Sequence, residues 1–397
     1  MVLTGLLGVA SLAGCGSLSS KPRPASTDDP GAMSPTAAPE DFSTESAPAA
    51  SASATPNPLD GWTLEQKVGQ LLMVGADTSG PQMVSIDAVA THHVGNVFIA
   101  RQTRSGADSV RGVITALTDL VGSETTHDTP LLVATDQEGG QVQVLGGSGF
   151  SDIPSASEQA IMSTDDLTAS ARTWGQELAD VGVTMNLAPV ADLVDIPDPS
   201  SNAPIGRWGR EYGQSATTSQ DRAIAFARGM EAAGVIPTYK HFPGLGRVTA
   251  NTDTADGVTD SITTRSGDPA VSVFAEAITG GARVIMVSSA IYSAIDSSAP
   301  ATFSSVVVTD MLRGDLGFTG VVITDDVSAA VQVDAWTPAE RAVQAVKAGC
   351  DIVLASADAT MAADMAEALI AEAQADPAFA QRVDESATRV ISLKAGS

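Results

Sequence analysis

Gly320-Val321-Val322-Ile323-Thr324-Asp325-Asp326 is a β-branched run that closes in two carboxylates. An amphipathic stretch, Pro338–Ala348, comes after it, and then a second apolar run, Asp351–Ala355. Strand, helix and strand in that order form a βαβ unit of a parallel sheet. Outward from this unit the same alternation recurs back to Thr63. The candidate strands are Leu71–Gly75, Gly95–Ala100, Leu131–Asp136, Thr184–Ala188, Ile236–His241, Arg283–Ser288, Gly320–Asp325 and Asp351–Ala355. Helical patterns accompany them at Asp165–Val181, Ser219–Ala233, Val271–Thr279, Val306–Leu316, Pro338–Ala348 and Ala359–Ala375. Eight strand–helix repeats in about 335 residues predict an α/β fold, a (β/α)8 barrel forming a single catalytic domain. A doubly wound open sheet is the alternative. Its nearest phosphate-binding candidate, Gly244-Leu245-Gly246-Arg247-Val248-Thr249, lacks the third glycine and runs into Asn-Thr-Asp where a helix should begin.

Before this body the chain changes character. Residues 2–14 are an apolar run too short to cross a bilayer but suited to a signal-peptide core, and it ends in Leu12-Ala13-Gly14-Cys15. Those four residues resemble a bacterial lipobox, which implies lipidation of Cys15 and a lipid anchor. No Lys or Arg precedes the run, which departs from that pattern. Residues 16–58 hold eight of the 21 prolines among Ser, Ala and Thr, and so bury too little to offset their ordering entropy. The expected organisation is a lipoprotein signal peptide over 1–15, a disordered linker over 16–60 and the barrel over 61–397. Such a chain is expected to be exported and tethered to the outer face of a bacterial cell membrane.

Composition narrows the functions. With 43% hydrophobic and 17% charged residues, the body can build a full core. The net charge is −26, and the six acids and two bases of Gly16–Asp60 leave about −22 for the rest. Such a field repels phosphate backbones and anionic lipid heads, so no nucleic-acid partner is expected, and no membrane contact beyond the N-terminal anchor. Cys15 and Cys350 are the only cysteines, and the four histidines show no HExxH spacing, which argues against a zinc site. No metal or organic cofactor is called for, and a monomer is expected.

Barrel enzymes carry their chemistry at the C-terminal ends of strands. Four polar clusters fall there: Asp136-Gln137-Glu138-Gly139-Gly140, Tyr239-Lys240-His241, Ser288-Ser289 and Thr324-Asp325-Asp326. Each also has a structural explanation. One of the Asp325-Asp326 pair could cap the next helix, and Lys240 could simply pair with Asp136. Their convergence at one mouth suits a polyhydroxylated ligand, whose hydroxyls each need a donor or acceptor.

Five segments make this more specific: Thr63–Met73, Asp136–Gly140, Asn186–Asp192, Lys240-His241-Phe242-Pro243-Gly244 and Gly317–Asp326. Together they resemble family 3 glycoside hydrolases, most closely the single-domain β-N-acetylglucosaminidase branch, from about Thr63 to Leu393. The resemblance implies a retaining mechanism on a carbohydrate substrate, with Asp325 as nucleophile. It also implies that Asp136, Lys240 and His241 hold sugar hydroxyls, and that Arg210 matches the family's sugar-binding arginine after two extra residues.

The chain departs from that branch in one loop. Where relatives carry Asp-Ser-His, with the His as acid/base, this chain has Asn251-Thr252-Asp253. His92, His93 and His127 precede strands and should lie at the opposite end of the barrel. Asp253 is therefore the candidate acid/base and Asn251 its candidate orienter. Relatives also have Arg-Val-Gln-Arg after the DQEGG segment and a His after Met-Val-Ser; here Gln141–Val144 and Ser289 take those places, with Ser289 a candidate substrate contact. The expected activity is removal of β-linked N-acetylglucosamine from cell-wall-derived or related glycans. The alternatives are a β-glycosidase for another sugar and a sugar-binding protein with weak or no turnover.

Overall fold

The computed structural model describes residues 58–396; the lipobox-like segment with Cys15 and most of the expected linker lie outside them. Nine parallel segments form the main sheet: β1 Leu72–Asp77, β2 Asn96–Ala100, β3 Leu132–Thr135, β4 Met185–Asn186, β5 Ile236–Pro237, β6 Tyr239–Phe242, β7 Val284–Val287, β8 Val321–Asp326 and β9 Ile352–Ala355. In space the order is β5-β4-β3-β2-β1-β9-β8-β7-β6. β5 and β6 are the two halves of the single strand expected over Ile236–His241. The first half pairs with β4 and the second with β7, and a Val190–Lys240 bridge carries the β4 line onto β6. Eight staves therefore close the ring as an α/β barrel.

The period of two along each strand sorts the core into layers. Met73, Phe98, Leu132, Met185, Ile236, Met286, Ile323 and Leu354 point inward and fill the barrel. Leu72, Val74, Val97, Ile99, Val133, Val287 and Val322 point outward into a larger cluster shared with the helices. Val390 and Leu393 of a C-terminal helix, Pro377–Ala395, join the inner cluster. Local chemistry starts the helices where the sequence marks them. Thr63 and Gln66 form a capping box at the first helix, as do Thr337 and Glu340 ahead of Pro338–Ala348. Between helices Thr164–Asp180 and Ala216–Ala232, Gly229 is required by proximity: a Cβ there would meet the Ala171 Cβ at 2.5 Å. No described helix is long and apolar enough to cross a membrane.

Candidate active site

The C-terminal ends of the strands surround a cavity of about 460 Å³. Its floor is the top of the barrel's inner layer, Leu187, Met286 and Leu354. Above that floor the polar groups stand in a row of alternating charge. Lys240 on β6 places Nζ 2.6 Å from Asp136 Oδ1 and 2.6 Å from Glu138 Oε1. Glu138 also accepts from Arg210 Nε at 2.8 Å and Nη2 at 2.7 Å, a two-point clamp on the guanidinium. Burial alone would raise the Glu138 carboxyl, but Arg210 and Lys240 outweigh it and hold it at about 2. Burial likewise opposes the charge on Lys240, and Asp136 and Glu138 more than restore it, leaving its pKa raised. The Lys240–Asp136 pairing weighed as structural is thus present, while 28% of the Asp136 side chain stays exposed on the cavity wall.

The DQEGG segment divides its labour. Asp136 and Glu138 serve the charged row; the Gln137 side chain instead bonds the Leu145 backbone through its N–H and C=O, bracing the chain behind the site. The two glycines admit protein and not ligand. Gly139 sits at φ +110°, and a Cβ there would come within 2.2 Å of Pro154 O.

His241 is fixed by a residue that was not singled out from the sequence. Its Nδ1 lies 2.6 Å from Oδ2 of the fully buried Asp192, whose Oδ1 accepts the backbone N–H groups of His241 and Leu245 at 3.0 and 2.7 Å. With Nδ1 engaged, Nε2 is the ring atom left for the cavity that His241 lines. Glu138 was likewise not singled out, although it lies inside a quoted motif; its signal was the arginine and lysine it had to satisfy.

At the end of β8 the two adjacent aspartates separate. Asp326 is the structural one, accepting Ser328 Oγ at 2.7 Å and the N–H of Ser356 at 2.8 Å. Asp325 is half-buried on the cavity wall and accepts the Asp326 N–H at 2.8 Å. Burial pushes its carboxyl up to about 6; His241 opposes the rise and the Asp253 charge adds to it.

The loop that carries Asn251, Thr252 and Asp253 lines the same cavity. Gln332 and Val331 pin it by donating to Thr252 O at 3.0 Å and Asp253 O at 3.4 Å. Asn251 meets Asp253 at the backbone. Its Oδ1 accepts the Asp253 backbone N–H at 3.0 Å, an Asx turn that shapes the loop without holding the carboxylate. Asp253 itself is exposed. Ser289 departs from expectation: it is buried, and it is absent from the cavity lining, because the inward-facing residue at the end of β7 is Met286. His92, His93 and His127 do not line the cavity; His93 Nδ1 meets Thr125 O at 3.0 Å and His127 packs on Trp62.

A cavity with an ionic row on one side and a perturbed carboxylate on another can bind hydroxyls and attack an electrophilic carbon. Known proteins agree in kind. The family model for the glycosyl hydrolase family 3 N-terminal domain matches residues 63–393. Beta-hexosaminidase LpqI of Mycobacterium tuberculosis is 31% identical over 300 residues, 72% of either chain. A secreted glycosyl hydrolase of Arthroderma benhamiae is 32% identical over 276 residues, 67% of this chain and 74% of its own. Among solved structures, a beta-N-acetylhexosaminidase from Beutenbergia cavernae aligns with a TM-score of 0.83 at 54% identity, covering 84% of this chain and 98% of that one.

Proposed function

The chain belongs to glycosyl hydrolase family 3 and is an O-glycosyl hydrolase acting on carbohydrate, and from that premise we propose that it is a retaining β-N-acetylhexosaminidase. The observation that carries the reading is the half-buried Asp325 sharing a cavity with the Asp136–Lys240–Glu138–Arg210 row. The row, with His241, grips the hydroxyls of a terminal sugar, and this fixes its anomeric carbon over Asp325. The Asp325 carboxylate then attacks that carbon while the glycosidic C–O bond breaks. Asp253 gives its proton to the departing oxygen, then takes one from the water that attacks the same carbon and frees Asp325. The substrate class is β-linked N-acetylglucosamine in cell-wall-derived or related glycans, in keeping with the hexosaminidase relatives.

Replacing Asp253 by Ala tests the proton transfer. Hydrolysis of an aryl hexosaminide with a poor leaving group should fall by about 10²–10⁴-fold, and far less with an activated one. Equal, small losses on both would remove Asp253 from the mechanism. A second reading, sugar binding without turnover, draws on the exposed and unclamped Asp253 among the described residues. Turnover absent from a panel of aryl β-glycosides, with muropeptide fragments still bound, would favour it over catalysis.

The Leu12-Ala13-Gly14-Cys15 segment and the secreted relative support export with a lipid on Cys15. Metabolic labelling with a fatty acid should mark the protein, and Cys15→Ala should abolish the label; a label that survives this change rules out Cys15 as the anchor.

A further inference from the structure

A second cavity, of about 480 Å³, opens at the same end of the barrel over β1, β2 and β9. Ser356 and Ala357 line both it and the Asp325 cavity, so the two adjoin along a shared rim. That rim is held by the strand end that bears Asp325. Asp326 Oδ1 accepts the Ser356 N–H at 2.8 Å, and Ser328 Oγ accepts those of Ala357 and Asp358 at 3.2 and 3.0 Å. Whatever sits in the second cavity is therefore placed relative to the reacting carboxylate by a short, hydrogen-bonded path.

The far wall carries an ion pair at the ends of β1 and β2. Arg101 Nη1 lies 2.9 Å from Oδ2 of Asp77, which is 8% exposed, while the arginine is 75% exposed. Arg101 follows β2 with φ +70°, a region that residues with a side chain seldom occupy. Thr78 braces this turn, its Oγ1 donating to Arg101 O at 3.1 Å and its N–H to Ala100 O at 3.2 Å. Neighbours that hold an arginine in an unfavourable backbone region at a cavity rim favour the placement of its side chain over backbone ease.

The lining matches one ligand chemistry. Arg101 and Gln82 offer donors, Asp77 and Asp358 offer acceptors, and Phe98 supplies an apolar surface between them. One cation against two carboxylates leaves no net positive charge, and the protein around it is strongly acidic, so an anionic group is disfavoured. We propose that this cavity is a second sugar subsite, which takes the neutral, hydroxyl-bearing saccharide on the leaving-group side of the bond cleaved at Asp325. Arg101, held by Asp77, is its specificity-determining residue. The proposal rests on the hexosaminidase reading for the identity of that saccharide, an N-acetylglucosamine unit.

Steady-state kinetics on the full chain test it with two substrates, N,N′-diacetylchitobiose and an aryl β-N-acetylglucosaminide. In Arg101→Ala, and in Arg101→Gly, which suits the left-handed backbone, the ratio of kcat/KM for the disaccharide to that for the aryl glycoside should fall about tenfold, through KM. An unchanged ratio in both variants overturns the proposal. Calorimetric binding of the disaccharide to Asp325→Asn, with and without Arg101→Ala, gives a readout free of turnover, and about tenfold weaker binding is expected. If the parent cleaves no hexosaminide while this binding loss is seen, the hexosaminidase reading fails and the subsite stands. Binding untouched by Arg101→Ala overturns the subsite whether or not the protein turns over.

Discussion

At the start of β9, Asp351 is fully buried among three arginines, accepting from Arg313 Nη2 at 2.6 Å, Arg382 Nη2 at 2.5 Å and Arg389 Nη1 at 3.1 Å, with Ser386 Oγ at 2.8 Å and Val322 N at 2.9 Å besides. At the end of the neighbouring β8, Asp325 accepts one backbone N–H from its own chain neighbour and faces a cavity. Both are aspartates at strand termini beside cations, at opposite ends of one barrel. A carboxylate has about four acceptor positions, and Asp351 spends them all on the fold. Asp325 keeps most of its own for a ligand, and burial, offset by only one backbone N–H, leaves its pKa raised. Saturation of lone pairs, more than burial or charge, separates the structural acid from the reactive one.

The sharpest way to break this contrast is to neutralise each acid in turn. Asp325→Asn should lower turnover of an aryl hexosaminide by about 10⁴-fold or more, since it removes the attacking group, and should leave the melting temperature at neutral pH equal or higher. Asp351→Asn should do the reverse. It strands three guanidinium groups around a neutral amide and should cost about 3–5 kcal/mol of stability, while the protein that remains folded keeps its kcat. Thermal melts and active-site-normalised rates on the two variants check this. A melting loss for Asp325→Asn as large as that for Asp351→Asn would erase the distinction.

The same contrast explains what could be read before the structure. The eight staves were legible because each is a short apolar run, and burial on both faces of a parallel strand leaves that run little choice of residue. The break at Thr238 was not legible, since Ile236–His241 reads as one strand, and only the different partners of its two halves divide it. Asp136, Lys240, His241 and Asp325 could be found as polar residues ending apolar runs, and Arg210 through its motif. Asp192 and Glu138 escaped because their role is to satisfy other charges across the mouth, and sequence spacing does not reveal which carboxylate will meet which cation. Asn251 reaches Asp253 at the backbone N–H and not at the carboxylate, because an asparagine two residues upstream closes an Asx turn there more easily than it reaches the side chain. Ser289 misled because a strand that ends at Val287 leaves its last inward place to Met286.

The smallest expected effect separates the two kinds of acid within the site itself. Asp325 is pushed from 3.8 up to about 6, so the folded protein holds that proton more tightly than the unfolded chain does. Its contribution to stability is therefore full below about 3.8 and is lost as pH rises through 6, a cost on the order of 3 kcal/mol. Glu138 runs the other way: lowered from 4.5 to about 2, it contributes stability above 4.5 that is lost only as pH falls through 2. Between these windows, near pH 5, the ionic row is intact and Asp325 is largely protonated. Since only the carboxylate can attack, kcat/KM for an activated aryl hexosaminide, whose departure needs no proton from Asp253, should fall about tenfold per unit below pH 6, while the melting temperature at pH 5 stays at or above its value at pH 7. Activity should return in full when the sample is brought back to neutral pH. A melting temperature that drops in step with kcat/KM between pH 7 and pH 5 would mean that acid disrupts the row and not the nucleophile, and would move the titrating group from Asp325 to the cradle that holds the sugar.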